Sequence, residues 1–256
     1  MELKIATWNV NSVRARIPVI TNWIEKEKPD ILCMQELKAT DKQFPLKEFS
    51  ALGYHSAVNG QVRWNGVAII SKNPISDIQT DLSGFLPEQS RMISASVYGI
   101  KLINVYVPNG GDVDQPRFQE KLSYYEILRE YALAFPGPTV ILGDFNVAPG
   151  PIDTHSPEEQ DGMLCYHPLE REQIQKFAEA GFTDVFRQFH PEGQAYSWWD
   201  YRAASFRRKR GMRLDLVLAD NSAGRMITHC SIDTEPRGWE RPSDHTPVVF
   251  NIQVSE

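Results

Sequence analysis

Oxygen-bearing side chains recur where apolar runs of this chain end, and their types suit the handling of a phosphate group. Asn9 and Asn11 follow the run 5–8, Glu36 follows 31–35, and Tyr106 and Asn109 close the run that begins at residue 103. Asp144 and Asn146 follow 140–143, Asp215 stands within 214–218, and Asp244 and His245 precede 246–249. Taken singly, an aspartate after a strand is more often a turn or a helix cap than a catalyst. Asp215 is harder to explain in that way, because an ionised carboxylate inside an apolar strand is expensive to bury unless it is paired. His245 is the natural partner: a carboxylate on one ring nitrogen fixes the tautomer and raises the basicity of the imidazole. A hard cation such as magnesium takes a few carboxylate or carbonyl oxygens and keeps several waters, a description that Glu36, the asparagine pair and Asp244 meet. Such an ion would neutralise charge developing on a phosphoryl group. No Gly-x-Ser-x-Gly elbow, activated cysteine or Walker-type loop offers a protein nucleophile, which leaves water, oriented by Asp144 and Asn146.

The elements that must hold these residues are mostly strands. Short β-rich runs bounded by turn signals cover 3–10, 31–35, 66–71, 92–98, 101–107, 139–142, 214–218 and 247–254. Helical periodicity covers the residues after Arg14 through Lys28, then 116–133 and 168–180, the first and third with a proline near the start. Strand and helix do not alternate cleanly, so two sheets packed face to face with helices outside are favoured over a doubly wound sheet or a barrel. No internal repeat, low-complexity tract or linker is present, and 149–159, rich in Pro, Gly and Asp, reads as a long surface loop. A single domain over 1–256 is the expectation for this length.

Bulk properties narrow the class. With 41% hydrophobic and 23% charged residues the chain can build a full-sized core. No stretch approaches the roughly 20 apolar residues of a membrane-spanning helix, and Met1 to Lys4 lacks the basic-then-apolar pattern of a signal peptide. A soluble, cytoplasmic protein is therefore expected. Cys33, Cys165 and Cys230 are too far apart for a zinc site and odd in number for a disulfide framework, which suits a reducing compartment. The net charge of −6 is unusual for a protein that covers phosphates. Acidic residues gathered around a cation invert the local field, however, and Arg207, Arg208, Lys209 and Arg210, with Arg202 and Arg213 nearby, supply a local basic cluster.

Eight blocks carry a family resemblance: TWNVNSVRA (7–15), PDILCMQE (29–36), VYVPNG (105–110), GDFNVAP (143–149), GFTDVFR (181–187), YSWWDYR (196–202), GMRLD (211–215) and SDHTPV (243–248). In order and spacing the chain resembles exonuclease III and its relatives, the abasic-site endonucleases, from residue 3 to about 250. That resemblance implies a four-layer αββα sandwich, two mixed sheets packed face to face and flanked by helices, with the site at one edge and Mg2+ or Mn2+ as cofactor. It implies hydrolysis at abasic sites and 3′ ends in base excision repair, by a monomer acting on double-stranded DNA with abasic sites, nicks or blocked 3′ ends. Glu36 then corresponds to the principal metal ligand, supported by Asn9 and Asp244, with Asp144, Asn146 and His245 also in the set around the ion. Asp144 corresponds to the residue that orients or deprotonates the attacking water, with Asn146 its partner at the phosphate. His245 with Asp215 matches the pair that contacts the scissile phosphate, and Tyr106 the tyrosine beside the leaving oxygen. Asn11, Arg91 and Asn109 fall among the DNA-contacting positions. Trp198, Met212 and Leu214 are the walls implied for a pocket that takes an extruded, baseless sugar and excludes a normal nucleotide.

The wider superfamily includes lipid and inositol-phosphate phosphatases and deoxyribonuclease I-like enzymes, from which the segments 198–199 and 211–215 set this chain apart. Three positions depart from the pattern. Met212 stands where some relatives carry Trp, Asn11 where some carry Asp, and His167 precedes Pro168 where relatives carry a smaller or aliphatic residue. His167 is either an exposed neutral histidine or a ring that fills the space of an orphan base or continuing strand. In the second case it favours 3′-end processing over internal abasic cleavage, and replacement by Gly should shift the ratio towards the latter. A phosphatase or lipase-like hydrolase on a non-DNA phosphodiester would call for an apolar or basic membrane-facing loop that the sequence lacks. A catalytically silent DNA-binding module conflicts with a competent residue at every catalytic position.

Overall fold

Valine- and isoleucine-rich runs that are apolar on both faces must be covered on both sides, and in a computed structural model describing residues 1–254 they are. In chain order the strands are β1 (Glu2–Asn9), β2 (Ile31–Gln35), β3 (His55–Asn59), β4 (Val67–Ser71), β5 (Ser76–Gln79), β6 (Met92–Val97), β7 (Ile100–Tyr106), β8 (Thr139–Asp144), β9 (Thr183–Asp184), β10 (Asp215–Ala219), β11 (Ile227–Ile232) and β12 (Val248–Gln253). They form two six-stranded sheets, ordered β11-β12-β1-β2-β4-β3 and β5-β6-β7-β8-β10-β9. One pair in each is parallel, β1 with β2 and β7 with β8, and the other pairs are antiparallel.

Alternation sorts the side chains into layers. Ile5, Ile31, Cys33 and Ile69 of the first sheet face Ala95, Leu102, Val140, Leu142 and Val217 of the second in one buried cluster. The opposite face of the first sheet, with Ala6, Trp8, Leu32, Met34 and Ile70, is covered by Val13, Ile20, Trp23 and Ile24 of α1 (Val13–Glu27). The opposite face of the second, with Ile103, Val105, Ile141 and Leu216, is covered by Tyr124, Tyr125 and Leu128 of α3 (Pro116–Leu133) and by Phe177 of α5 (Pro168–Glu179). Shorter helices α2 (Leu46–Ala51), α4 (Pro157–Gln160), α6 (Val185–Phe189) and α7 (Asn221–Met226) lie between strands. The result is the expected αββα sandwich. Each fully buried Leu or Ile contributes about 1.5–3 kcal/mol. Between the sheets one polar clasp interrupts the apolar layer: Gln35 Nε2 donates to Thr7 Oγ1 at 2.8 Å and to Asn104 Oδ1 at 2.7 Å.

Several details differ from the sequence reading. Strands β3, β5, β9 and β11 were not anticipated; β5 is exposed along its length and β3 buries one residue of five. Pro18 lies at the sixth position of α1 and removes one internal hydrogen bond, whereas Pro168 stands at the first turn of α5 as expected. The segment 149–159 is not simply a surface loop, since it holds a helical turn, Pro151–Asp153, and the start of α4, with Asp153 and Thr154 buried. Arg213 is not part of the exposed basic cluster: its guanidinium is buried against Asp153 at 2.6 Å and Asp184 at 2.7 Å. The three cysteines are buried and free, and no helix among the described residues is long and apolar enough to cross a membrane.

Candidate active site

Strand register brings the predicted residues to one end of the two sheets. Asn9 ends β1 opposite Gln35 of β2, so the next residue, Glu36, emerges beside it. In the second sheet Tyr106, Asp144 and Asp215 stand side by side on β7, β8 and β10. Asp144 is therefore the last residue of its strand, and Asp215 opens β10 instead of lying inside it. The chain leaves these ends in strained turns: Asn11 (φ 44), Glu36 (φ 56) and Asn146 (φ 50) take the left-handed region without being glycine. Asparagine tolerates that region, but for glutamate it is a cost that sites accept to aim a side chain.

Hydrogen bonds join these groups into one array. Asn9 Nδ2 donates to Glu36 Oε2 at 2.9 Å and to Asp144 Oδ2 at 2.9 Å, so its amide braces two carboxylates apart. Asp144 Oδ1 accepts the backbone N–H of Asn146 at 2.8 Å. Imidazole Nδ1 of His245 meets Asp215 Oδ2 at 2.8 Å, and its Nε2 lies 3.7 Å from Asp144 Oδ2. Asp244 accepts from Asn11 Nδ2 at 2.8 Å and from Trp198 Nε1 at 3.1 Å. Asn109 Nδ2 reaches Asn146 Oδ1 at 3.4 Å. Lys38, which sequence reasoning missed, puts its ammonium 2.9 Å from Glu36 Oε1 and 2.7 Å from Asn11 Oδ1.

Burial and proximity set the charges. Burial pushes the Asp144 carboxyl up to about 7, with His245 pulling the other way and Asp215 adding to the rise. For His245 burial alone would lower the pKa, but the Asp215 and Asp144 carboxylates outweigh it and raise the imidazole to about 10. Burial raises the Asp244 pKa, yet His245, Asn11 and Trp198 together hold it below the usual carboxylate value. Tyr106 is driven well above the ordinary phenol value, first by burial and then by Glu36 and Asp144, so its hydroxyl stays protonated.

A cavity of about 450 Å³ opens over the array, lined by Glu36, Tyr106, Asn109, Asp144, Asn146, Trp198, Met212, Leu214, Asp244 and His245 of the predicted set, and by Gln160, Leu164 and Cys165 outside it. Asn9 and Asp215 are buried behind it and act through their neighbours. Arg91 instead lines an adjoining cavity of about 600 Å³, which shares Glu36, Tyr106 and Asn109; its guanidinium lies 5.1 Å over the Tyr106 ring. His167 lines neither of these cavities: its ring packs edge-on against Phe118, and its Nδ1 accepts the Leu169 N–H as the cap of α5. The apolar wall is fixed from behind, Met212 and Trp198 bridging main chain to main chain and Ser197 Oγ accepting the N–H groups of Leu214 and Asp215, each at 3.0 Å. Asp144, Asp215 and His245 each bring a ligand atom within 4.8 Å of the others. Asp215 and His245 are taken up by each other, whereas Glu36 and Asp144, joined through Asn9, and Asp244 on the same cavity make an oxygen-rich donor set that fits a hard divalent cation.

Paired sheets with carboxylates, an imidazole and a protonated phenol gathered at one end define a hydrolase built to act on a charged ester. The sequence pattern of the Endonuclease/Exonuclease/phosphatase family matches residues 6–245, and the chain belongs to that family. It is 31% identical to the exodeoxyribonuclease III of Haemophilus influenzae, with 96% of this chain and 98% of the relative covered. Among solved structures it is similar to an AP endonuclease from Archaeoglobus fulgidus, with TM-score 0.94, 40% identity, and 98% of this chain and 100% of the other covered. It is also similar to the 3′ phosphatase NExo from Neisseria bound to product DNA hairpin, with TM-score 0.94, 38% identity, and 98% and 99% of the two chains covered.

Proposed function

We propose that this protein is a DNA-repair phosphodiesterase that hydrolyses duplex DNA at abasic sites and at nicks or blocked 3′ ends, acting as a monomer in the cytoplasm. The observation that carries the reading is the single array in which Glu36, Asp144, His245 and Tyr106 face one cavity beside the apolar wall of Trp198, Met212 and Leu214. A divalent cation, magnesium or manganese, held by Glu36 with Asn9, Asp244 and the neighbouring Asp144 and Asn146, would supply charge neutralisation at a phosphate oxygen, which leaves His245, protonated and paired with Asp215, outside the ligand set. The imidazolium of His245, braced by Asp215, donates a hydrogen bond to a second phosphate oxygen as charge builds there. Asp144, whose basicity burial lifts towards neutrality, takes a proton from the attacking water. The water oxygen bonds to phosphorus, the bond to the leaving oxygen breaks, and Tyr106, kept protonated by burial, offers its O–H to that oxygen. Asn109, Asn146, Arg91 and Asn11 contribute donors for the flanking phosphates. The apolar wall of Trp198, Met212 and Leu214 suits a bare deoxyribose.

The reading is tested with two duplexes, one carrying a single abasic site and one a 3′-phosphate at a nick, each with magnesium and with excess chelator. Hydrolysis of both, lost on chelation and restored by magnesium, is the expected outcome. Full activity without divalent ions, or activity confined to soluble phosphoesters, would refute it. The balance of the two activities is assigned to His167, whose ring is held in one place by its cap and by Phe118, 5.0 Å away. Asparagine caps helices well, so His167→Asn removes the ring and keeps the cap. A rise in abasic-site incision relative to 3′-phosphate release is expected, and an unchanged ratio removes His167 from the account.

A further inference from the structure

The Lys121 ammonium has no exposed surface, although it lies in the middle of α3 on a face shared with Phe118, Leu122 and Tyr125. A buried ammonium is unfavourable unless its N–H groups find acceptors. Three do so here: the main-chain oxygen of Asn146 at 2.7 Å, that of Asn109 at 3.1 Å, and Glu170 Oε1 in close contact. Both asparagines face the catalytic cavity, one on the loop after β7 and one after β8. Glu170 is also fully buried, and its second oxygen accepts the His167 N–H at 2.9 Å, which ties the start of α5 to the same point. The loop makes room for this lysine: Gly110 has φ +98, and a Cβ there would come within 3.1 Å of Lys121 Cδ.

Packing alone does not call for a charged pair, since apolar side chains of similar volume fill such sites at equal or better stability. We propose that Lys121, with Glu170 as its counter-charge, is a positioning residue for the phosphodiester reaction. Its ammonium pins the carbonyls of Asn109 and Asn146 so that their amide groups, 3.4 Å apart, meet the phosphate in one geometry while Asn146 stays in its left-handed turn. The kinetic part of this inference rests on the proposed activity; the structural part does not.

The test is the double variant Lys121→Met/Glu170→Gln, which removes both charges and leaves neither partner buried alone. Circular dichroism and thermal unfolding establish that it folds. Hydrogen exchange by mass spectrometry follows segments 107–111 and 144–148, and steady-state kinetics follow release of a 3′-phosphate at a nick. Faster exchange in both segments is expected, with kcat lowered about tenfold or more and KM for DNA moved by less than about threefold. Ile252→Ala, in the part of β12 that pairs with Leu3 away from the site, controls for stability: it should lower the melting temperature and leave kcat unchanged well below that temperature. Unchanged exchange in the two segments, or wild-type kcat in a folded double variant, overturns the proposal. Faster exchange in the double variant, with none of these duplexes hydrolysed by the wild type, would keep the pinning role and overturn the functional reading instead.

Discussion

At the scale of single residues, the site depends on buried groups whose charges are set by one another. Asp144 and His245 approach within 3.7 Å, and each has its pKa raised, the carboxyl to about 7 and the imidazole to about 10. A folded imidazole pKa above the usual value means that its contribution to stability is fully present below that usual value and is lost as pH rises through about 10. The raised Asp144 acts in the same sense, its contribution being lost as pH rises through about 7. In the metal-free protein the melting temperature of the wild type should therefore exceed that of His245→Asn by more at about pH 6 than above pH 10. A difference that widens with pH in thermal unfolding would contradict this electrostatic picture. Most of these residues could be read from the sequence because each ends an apolar run. Lys38, Lys121 and Glu170 could not be read by that rule, because they lie in a turn and on helix faces. The signal for the last two was a charge on an otherwise buried helical stripe, Lys121 three residues after Phe118 and Glu170 four residues before Ile174.

At the scale of elements, the central strands were predictable and the edges were not. Strands such as β2, β4 and β8 are buried on both faces and so read as continuous apolar runs. β5 is exposed at every position, and β11 mixes Thr228, His229 and Ser231 with buried Ile227 and Cys230, so neither shows a clear period. The buried ionic network of Arg213 with Asp153 and Asp184 was equally hidden, because arginines in a basic stretch usually read as surface. One glycine inside a central strand carries the site. Gly143 has φ +143, and a Cβ there would lie 2.0 Å from the Val105 carbonyl oxygen on β7. Gly143→Ala should push β7 and β8 apart next to Tyr106 and Asp144, costing roughly 3 kcal/mol or more in stability. Denaturant unfolding measures this, and a change below about 0.5 kcal/mol would show that the strands separate freely.

At the scale of the whole molecule, two sheets of like topology meet so that each contributes half of the site, Asn9 and Glu36 from one and Tyr106, Asp144 and Asp215 from the other. The sandwich was predictable from the non-alternating order of elements together with the family resemblance, whereas sequence spacing alone does not say which strand ends face one another. Register supplies that information, and it brings the carboxylates of Glu36, Asp144, Asp215 and Asp244 to one place, where a bound cation would invert the local field and make a net charge of −6 compatible with a phosphate substrate. The two halves of the site touch at Asp144, through Asn9. The deciding measurement is the single-turnover rate of 3′-phosphate release from nicked DNA by Asp144→Asn at saturating DNA and magnesium, with DNA binding followed in parallel. A rate lowered about a thousandfold with binding retained is the predicted result, and a rate equal to that of the wild type would contradict it.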